Sequence, residues 1–259
     1  MTVIAHTPRN GPAARFAGGA DAARSLGLAL SGACDLTARI QLLASAIEGR
    51  IAFSTSLGIE DQAILHAIAE SGAAIDVFTL DTGRLFPETV ETLAVSELRY
   101  GIKIRALAPD TAGVEELVAR DGVLGFRESI EARKACCHVR KVQPLKRALA
   151  GASGWIAGLR RGQSGGRADV PFAAWDAEFG LLKLNPIADW PLEQLEAYVS
   201  KHAIPVNPLH AQGFPSIGCQ PCTRAIGPGE DIRAGRWWWE SESGKECGLH
   251  GRPQPERAA

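Results

Sequence analysis

Apolar positions along the chain fall into two alternating rhythms. In DLTARIQLLASAIEG, Leu36, Ile40, Leu43 and Ile47 recur at helical spacing, with Asp35 placed to cap the start and Gly49 to close the end. RIAFSTS then reads as a strand, EDQAILHAIAESG as a helix closed by Gly72, AIDVFTL as a strand, LFPETVETLAVSELRYG as a helix and IKIRALA as a third strand. Further on, GWIAGL and LLKLNPI read as strands and PLEQLEAYVSKH as a helix. Strands that alternate with helices predict an α/β fold: a twisted, mainly parallel sheet with helices on both faces and ligands at the carboxyl ends of the strands. Residues 1–20, a diffuse Gly/Ala/Arg mixture, are expected to form a disordered arm. Beyond about residue 205 the chain turns rich in Pro, Gly, Arg and Trp, and is expected to wrap the sheet edge or the site.

Composition narrows the class. A chain of 259 residues with 46% hydrophobic residues suits one domain with a small extension. Its formal net charge of −1 lacks the basic excess of a phosphate-backbone binder, which disfavours nucleic acid as a partner. No apolar run has the length to cross a bilayer. The stretch SLGLALSGAC, residues 25–34, imitates a short secretory core, but it follows Asp21 and lacks a compact basic segment, so the expected location is the cytoplasm.

The unusual residues collect where the strands end. STSLGIED, residues 54–61, is a Ser/Gly turn opening a helix, a place where Ser54, Ser56 and Gly58 could offer hydroxyls and N–H groups to phosphate; a plain helix cap is an equally common meaning. DTGRLF brings Thr82, Gly83 and Arg84 to the neighbouring strand end, and Arg160, Arg161, Gln163 and Ser164 follow GWIAGL. Loops of this kind on one sheet edge favour an anionic, phosphorylated ligand.

The six cysteines are too sparse for a stapled secreted fold and read as reduced thiols. Cys136 and Cys137 are adjacent in RKACCHVRK, Cys219 and Cys222 form CxxC in SIGCQPCTR, and Cys247 stands apart in GKECGLH. Four thiols suit zinc or an iron–sulfur cluster. Neighbours on a helix point about 100° apart, which a cluster with several corners receives more easily than one ion does. Cys34 reads as a small buried hydrophobe. The run Trp237, Trp238, Trp239 reads as packing or subunit contact before base stacking, and His138, His210 and His250 as local hydrogen-bonding residues.

The strings STSLGIEDQ, LDTGRLFPET, RKACCHVRKVQPL, GLRRGQS, NPLHAQGFPSIGCQPCTR, DIRAGRWWWE and KECGLH resemble the assimilatory adenylyl-sulfate (APS) reductases, the iron–sulfur branch of the APS/PAPS reductases, over about residues 35–250. The turn at residues 54–61 is one residue longer than the common form in that family. The resemblance implies an ATP pyrophosphatase-like fold, with residues 21–235 as the nucleotide-binding domain and 236–259 as a mobile tail. It implies one [4Fe–4S] cluster on Cys136, Cys137, Cys219 and Cys222, with Cys247 as nucleophile. Lys141, Arg160 or Arg161, Arg233 and Arg236 are the residues it points to for phosphate and sulfate. The implied partners are adenosine 5′-phosphosulfate and thioredoxin or a glutaredoxin-like dithiol protein; a homo-oligomer stays open. Alternatives are reduction of the 3′-phosphorylated substrate (PAPS), an ATP-using adenylating enzyme, against which residues 54–61 lack the SGGxDS form, and a zinc-stabilised binding module.

Overall fold

The computed structural model describes residues 19–163 and 167–240. The predicted arm, Ser164, His250 and the tail with Cys247 therefore fall outside the described residues, the arm but for its last two positions and the tail but for its first five. Six strands form one sheet: β1 (Arg50–Thr55), β2 (Asp76–Leu80), β3 (Arg105–Leu107), β4 (Ala152–Ile156), β5 (Ala173–Asp176) and β6 (Leu181–Leu184). Their order is β3-β2-β1-β4-β6-β5, parallel throughout except for β5, which runs antiparallel to β6 at one edge.

The central strand shows why both faces are covered. Its Ile51, Ala52 and Phe53 are all buried, and the alternation of side chains sends Ile51 and Phe53 to one core and Ala52 to the other. The first core is closed by α1 (Ala20–Ser31), α2 (Leu36–Ala46), α3 (Ile59–Ser71) and α8 (Leu192–Lys201). The second is closed by Leu145, Ala148 and Leu149 of α7 (Gln143–Leu149), packed on Phe78, Trp155 and Leu181. Between these lie α4 (Pro87–Tyr100), α5 (Thr111–Asp121) and α6 (Ile130–Cys137).

Several local signals act as the sequence suggests. Asp35 caps α2 by accepting from the Ala38 N–H at 2.7 Å, and Gly72 and Gly101 close α3 and α4 in the left-handed conformation. Two expectations, for Gly49 and Cys34, need correction. Gly49 does not end α2, which stops at Ala46 with Ile47 already extended; Gly49 instead turns the chain into β1 at φ 93°, where a Cβ would strike Ser153. The apolar run that starts at Ser25 is helical as far as Ser31, the end of α1, and its Leu26 and Leu30 are fully buried while Leu28 faces solvent. Cys34 is exposed, just past that helix, and packs in no core.

No helix among the described residues is long and apolar enough to cross a membrane. The chain beyond 205 forms short 3₁₀ turns at Pro208–Gln212 and Gln220–Cys222, and pairs with itself through Thr223 and Arg236. It lies against the carboxyl end of the sheet, where it closes the site described next.

Candidate active site

Strand order reverses between β1 and β4, and the main cavity opens there, at the point where doubly wound sheets accept ligands. It measures about 230 Å³ and is walled by the turn after β1, by Ala157–Leu159 after β4 and by residues 215–219 and 232–237. The turn after β1 is held rather than loose. Ser56 donates both its backbone N–H and its hydroxyl to one Asp61 carboxylate oxygen at 2.6 Å, and the Leu57 N–H donates to the Thr55 hydroxyl at 3.0 Å. Leu57 takes φ 61°, unfavourable for a branched side chain, a strain that these bonds sustain. The Trp155 indole donates to the Ser54 hydroxyl at 2.7 Å.

Asp61 is buried beneath the turn, in a space left by Gly158, where a Cβ would overlap the carboxylate. Burial pushes its pKa up to about 6; the Ser56 hydrogen bonds oppose the rise, Glu60 adds to it and Arg167 subtracts. An acid with a folded pKa above its unfolded value destabilises the fold where it is ionised. That penalty is complete above pH 6 and disappears as pH falls through 6 toward 3.8. Asp61→Asn is therefore expected to unfold at higher temperature than the wild type at about pH 7.5, by on the order of 2 kcal/mol, and to lose most of that advantage near pH 4.5, as read by thermal melts.

Of the residues expected to hold the ligand, Ser54, Ser56, Gly58, Thr82, Lys141, Arg233 and Arg236 line this cavity. Four do not. Gly83 forms the turn beside it at φ 66°, and Arg84 points to the cysteines, its guanidinium 4.9 Å over the Phe126 ring. Arg160 is 1% exposed and ion-paired with Glu60 at 3.0 Å, so its charge is spent within the fold. Arg161 is exposed, donates to the Val170 carbonyl at 3.0 Å and stacks over Phe172. Arg167, Asp61, Trp155 and Gly218, which no sequence pattern singled out for the ligand, also line the cavity, and so does His210, read from the sequence as a local hydrogen-bonding residue. His210 shares a hydrogen bond with the Phe214 carbonyl at 3.0 Å, and burial lowers its pKa. Among the described residues, Lys141, Arg167, Arg233 and Arg236 outnumber the two carboxylates Glu60 and Asp61 on the cavity wall, which suits it to anions.

Gly218 is needed for the reach of Arg236. A Cβ there would overlap the Arg236 guanidinium, which otherwise donates to the Ile217 carbonyl at 3.2 Å and lies 4.7 Å over the Trp237 ring. Gly218→Ala is expected to fold normally but to weaken binding of an adenine nucleotide by about tenfold, measured by titration, because displacement of one cation misaligns an oxyanion contact.

A second, smaller cavity adjoins the first and shares Lys141 and Cys219 with it. Cys136, Cys137, Cys219 and Cys222 all line it, with Arg84, Phe126, Arg133 and Arg140. The adjacent cysteines end α6, and the helix continues as a wide π turn over His138–Val142 before α7. Pro144 explains the widening, since its ring cannot fit against the carbonyl four residues back in regular α-helix. Arg140 thereby reaches the Thr82 carbonyl at 2.7 Å, and the Thr82 hydroxyl lies 3.2 Å from the Cys219 sulfur.

The thiols sense one another. Burial pushes the Cys222 pKa up to about 12, with Cys219 and Cys137 adding to the rise. Burial also raises Cys136. At Cys219 burial acts in the same direction but is outweighed by Lys141, the Thr82 hydroxyl, Arg236 and Arg84, so its pKa falls. Among the described residues no three Cys, His, Asp or Glu side chains form a group that would hold a single metal ion. Four thiols around one cavity, faced by cations, are a donor set that fits the [4Fe–4S] cluster implied by the resemblance, a group anchored at several corners.

A mainly parallel sheet with a cation-lined cavity at its switch point is the architecture of nucleotide-handling α/β domains. Residues 50–225 match the phosphoadenosine phosphosulfate reductase domain, and the chain belongs to that family. It is 57% identical over 226 residues to the adenosine 5′-phosphosulfate reductase of Agrobacterium fabrum, covering 87% of this chain and 86% of that protein. To the enzyme of the same name from Allochromatium vinosum it is 54% identical over 202 residues, covering 78% and 79%. The crystal structure of phosphoadenylyl-sulfate reductase from Candida auris in complex with phosphate superposes with a TM-score of 0.68 at 21% identity, covering 82% of this chain and all of that one, and supports the fold.

Proposed function

We propose that the chain reduces adenosine 5′-phosphosulfate to sulfite and AMP, in assimilatory sulfate reduction. The observation that carries this reading is the pair of adjoining cavities, one walled by Ser54, Ser56, Lys141, Arg167, Arg233 and Arg236, the other by four cysteines, with Lys141 and Cys219 on both. The names of relatives above half identity support the choice of substrate.

The cations meet the main obstacle, repulsion between an anionic nucleophile and an anionic sulfo-phosphate anhydride. Held within the cavity, Lys141, Arg167, Arg233 and Arg236 spread the charge on phosphate and sulfate oxygens, with arginine able to grip two oxygens at once. The Cys247 thiolate then attacks the sulfate sulfur. An S–S bond forms, the bond from that sulfur to the bridging phosphate oxygen breaks, and AMP leaves as an already stabilised phosphate without a general acid. One thiolate of thioredoxin or a similar dithiol attacks the Cys247 sulfur, expels sulfite and forms a mixed disulfide; its second thiol resolves this and restores Cys247. Two electrons and two protons leave the dithiol, and its disulfide is the other product.

Cys136, Cys137, Cys219 and Cys222 would hold the [4Fe–4S] cluster, which when bound supplies a fixed local field beside Lys141. The test is direct. Purified protein is expected to contain iron and acid-labile sulfide and to release sulfite from adenosine 5′-phosphosulfate with a dithiol and without ATP. Stoichiometric zinc with no sulfite would contradict the reading, and release only from the 3′-phosphorylated nucleotide would reassign the substrate.

A further inference from the structure

The wall that carries Lys141, Arg167, Arg233 and Arg236 also carries a buried acid. Asp61 is 7% exposed and lies under the turn after β1, with Oδ1 in the space left by Gly158 and Oδ2 accepting both the N–H and the hydroxyl of Ser56 at 2.6 Å. These are the two donors that Ser56 owns. While the carboxyl is ionised it holds both, and a phosphate or sulfate oxygen in the cavity meets only the lone pairs of Ser56, with a negative charge behind them.

A carboxylate in this place opposes both the fold and an anionic ligand. Burial pushes its pKa up to about 6, so the ionised form costs stability at neutral pH. Its charged neighbours do not cancel that cost: Glu60 on the same helix raises the pKa, Arg167 from the loop after β4 lowers it, and both effects are smaller than that of burial. Glu60 is in turn paired with Arg160. Among the described residues, Lys141, His210, Cys219, Arg233 and Arg236 complete the titratable groups on the wall.

We propose, taking the ligand to be adenosine 5′-phosphosulfate as above, that Asp61 is a proton-operated positioning residue: its carboxyl takes up a proton from solvent as the nucleotide binds, and the Ser56 hydroxyl, released from it, turns to donate to the ligand. One nucleotide and one proton are bound together, and no bond within the nucleotide is made or broken. A neutral carboxyl still accepts the Ser56 N–H, so the turn keeps its shape, but it holds the hydroxyl less firmly than a carboxylate does. Affinity is thereby linked to pH, and falls as pH rises from the pKa of the free protein to that of the complex.

The test is calorimetric titration of the Cys247→Ser protein with adenosine 5′-phosphosulfate, a ligand whose own charge is constant between about pH 6 and about pH 8. Over that range Kd is expected to rise by about tenfold or more, and binding near pH 7, compared in buffers of different ionisation enthalpy, to take up about half a proton. With Asp61→Asn added, Kd is expected to stay within about twofold across the range and proton uptake to vanish; with Ser56→Ala added, the gain in affinity at low pH is expected to shrink. A constant Kd without proton uptake before these additions overturns the proposal, and this reading needs no Asp61 variant. So does an unchanged pH profile in Asp61→Asn, which would assign the proton to another wall group such as His210, or an undiminished one in Ser56→Ala. If adenosine 5′-phosphosulfate binds at no pH, the reading of the ligand fails and the proposal with it.

Discussion

Replacement of Cys247 by Ser is expected to abolish sulfite release, by on the order of 10³-fold or more, and to leave AMP affinity unchanged. A serine hydroxyl stays protonated at neutral pH and has no base beside it in the proposed mechanism, whereas an ordinary thiol, with a pKa of about 8.5, is partly ionised there. The cations proposed to hold the nucleotide, Lys141, Arg167, Arg233 and Arg236, are on the cavity wall. Binding and turnover should therefore separate cleanly, with AMP titration and a sulfite assay as the two readings. Weakened binding equal to the lost turnover would mean that Cys247 supports the fold of the site and does not react.

Lys141→Ala is expected to lower kcat/KM by about 10²-fold while iron and acid-labile sulfide remain at wild-type levels. Lys141 lines both cavities, and its charge is the foremost influence that lowers the pKa of Cys219 against the effect of burial. It offers no thiol, so the donor set survives its removal, while the cavity loses one of four cations in a partly desolvated place. Iron analysis beside steady-state kinetics checks this. Loss of iron in parallel with activity would make Lys141 a structural residue of the cysteine site.

The central strands were readable from the chain because they are buried on both faces, and glycines that end helices, Gly72 and Gly101, mark off the segments. Helix α5 was not, since it buries only Leu117 and carries little apolar rhythm. Edge strand β5 is four residues long and lies beyond the arginine loop, too short for a periodic signal. Within the site, spacing drew attention to the cysteines and the family resemblance to Lys141, but neither could tell a cavity arginine from a buried one. Arg160 and Arg167 are seven residues apart in one loop region, and what separates them is Glu60, which pairs with the first across the fold. Asp61 was hidden for a similar reason. Its place beneath the turn depends on Gly158, distant in sequence, leaving room for a carboxylate.

The claim on which the mechanism turns is that a thiol other than those of Cys136, Cys137, Cys219 and Cys222 receives the sulfo group. Mass spectrometry of the full-length protein, incubated with adenosine 5′-phosphosulfate in the absence of dithiol and then digested, tests it most directly. The predicted result is a single added SO₃ on the peptide containing Cys247, with none on exposed Cys34, and its discharge as sulfite when a dithiol is supplied. Sulfite and AMP formed with no such adduct at any time, or an adduct on a different cysteine that turns over at the steady-state rate, would contradict it.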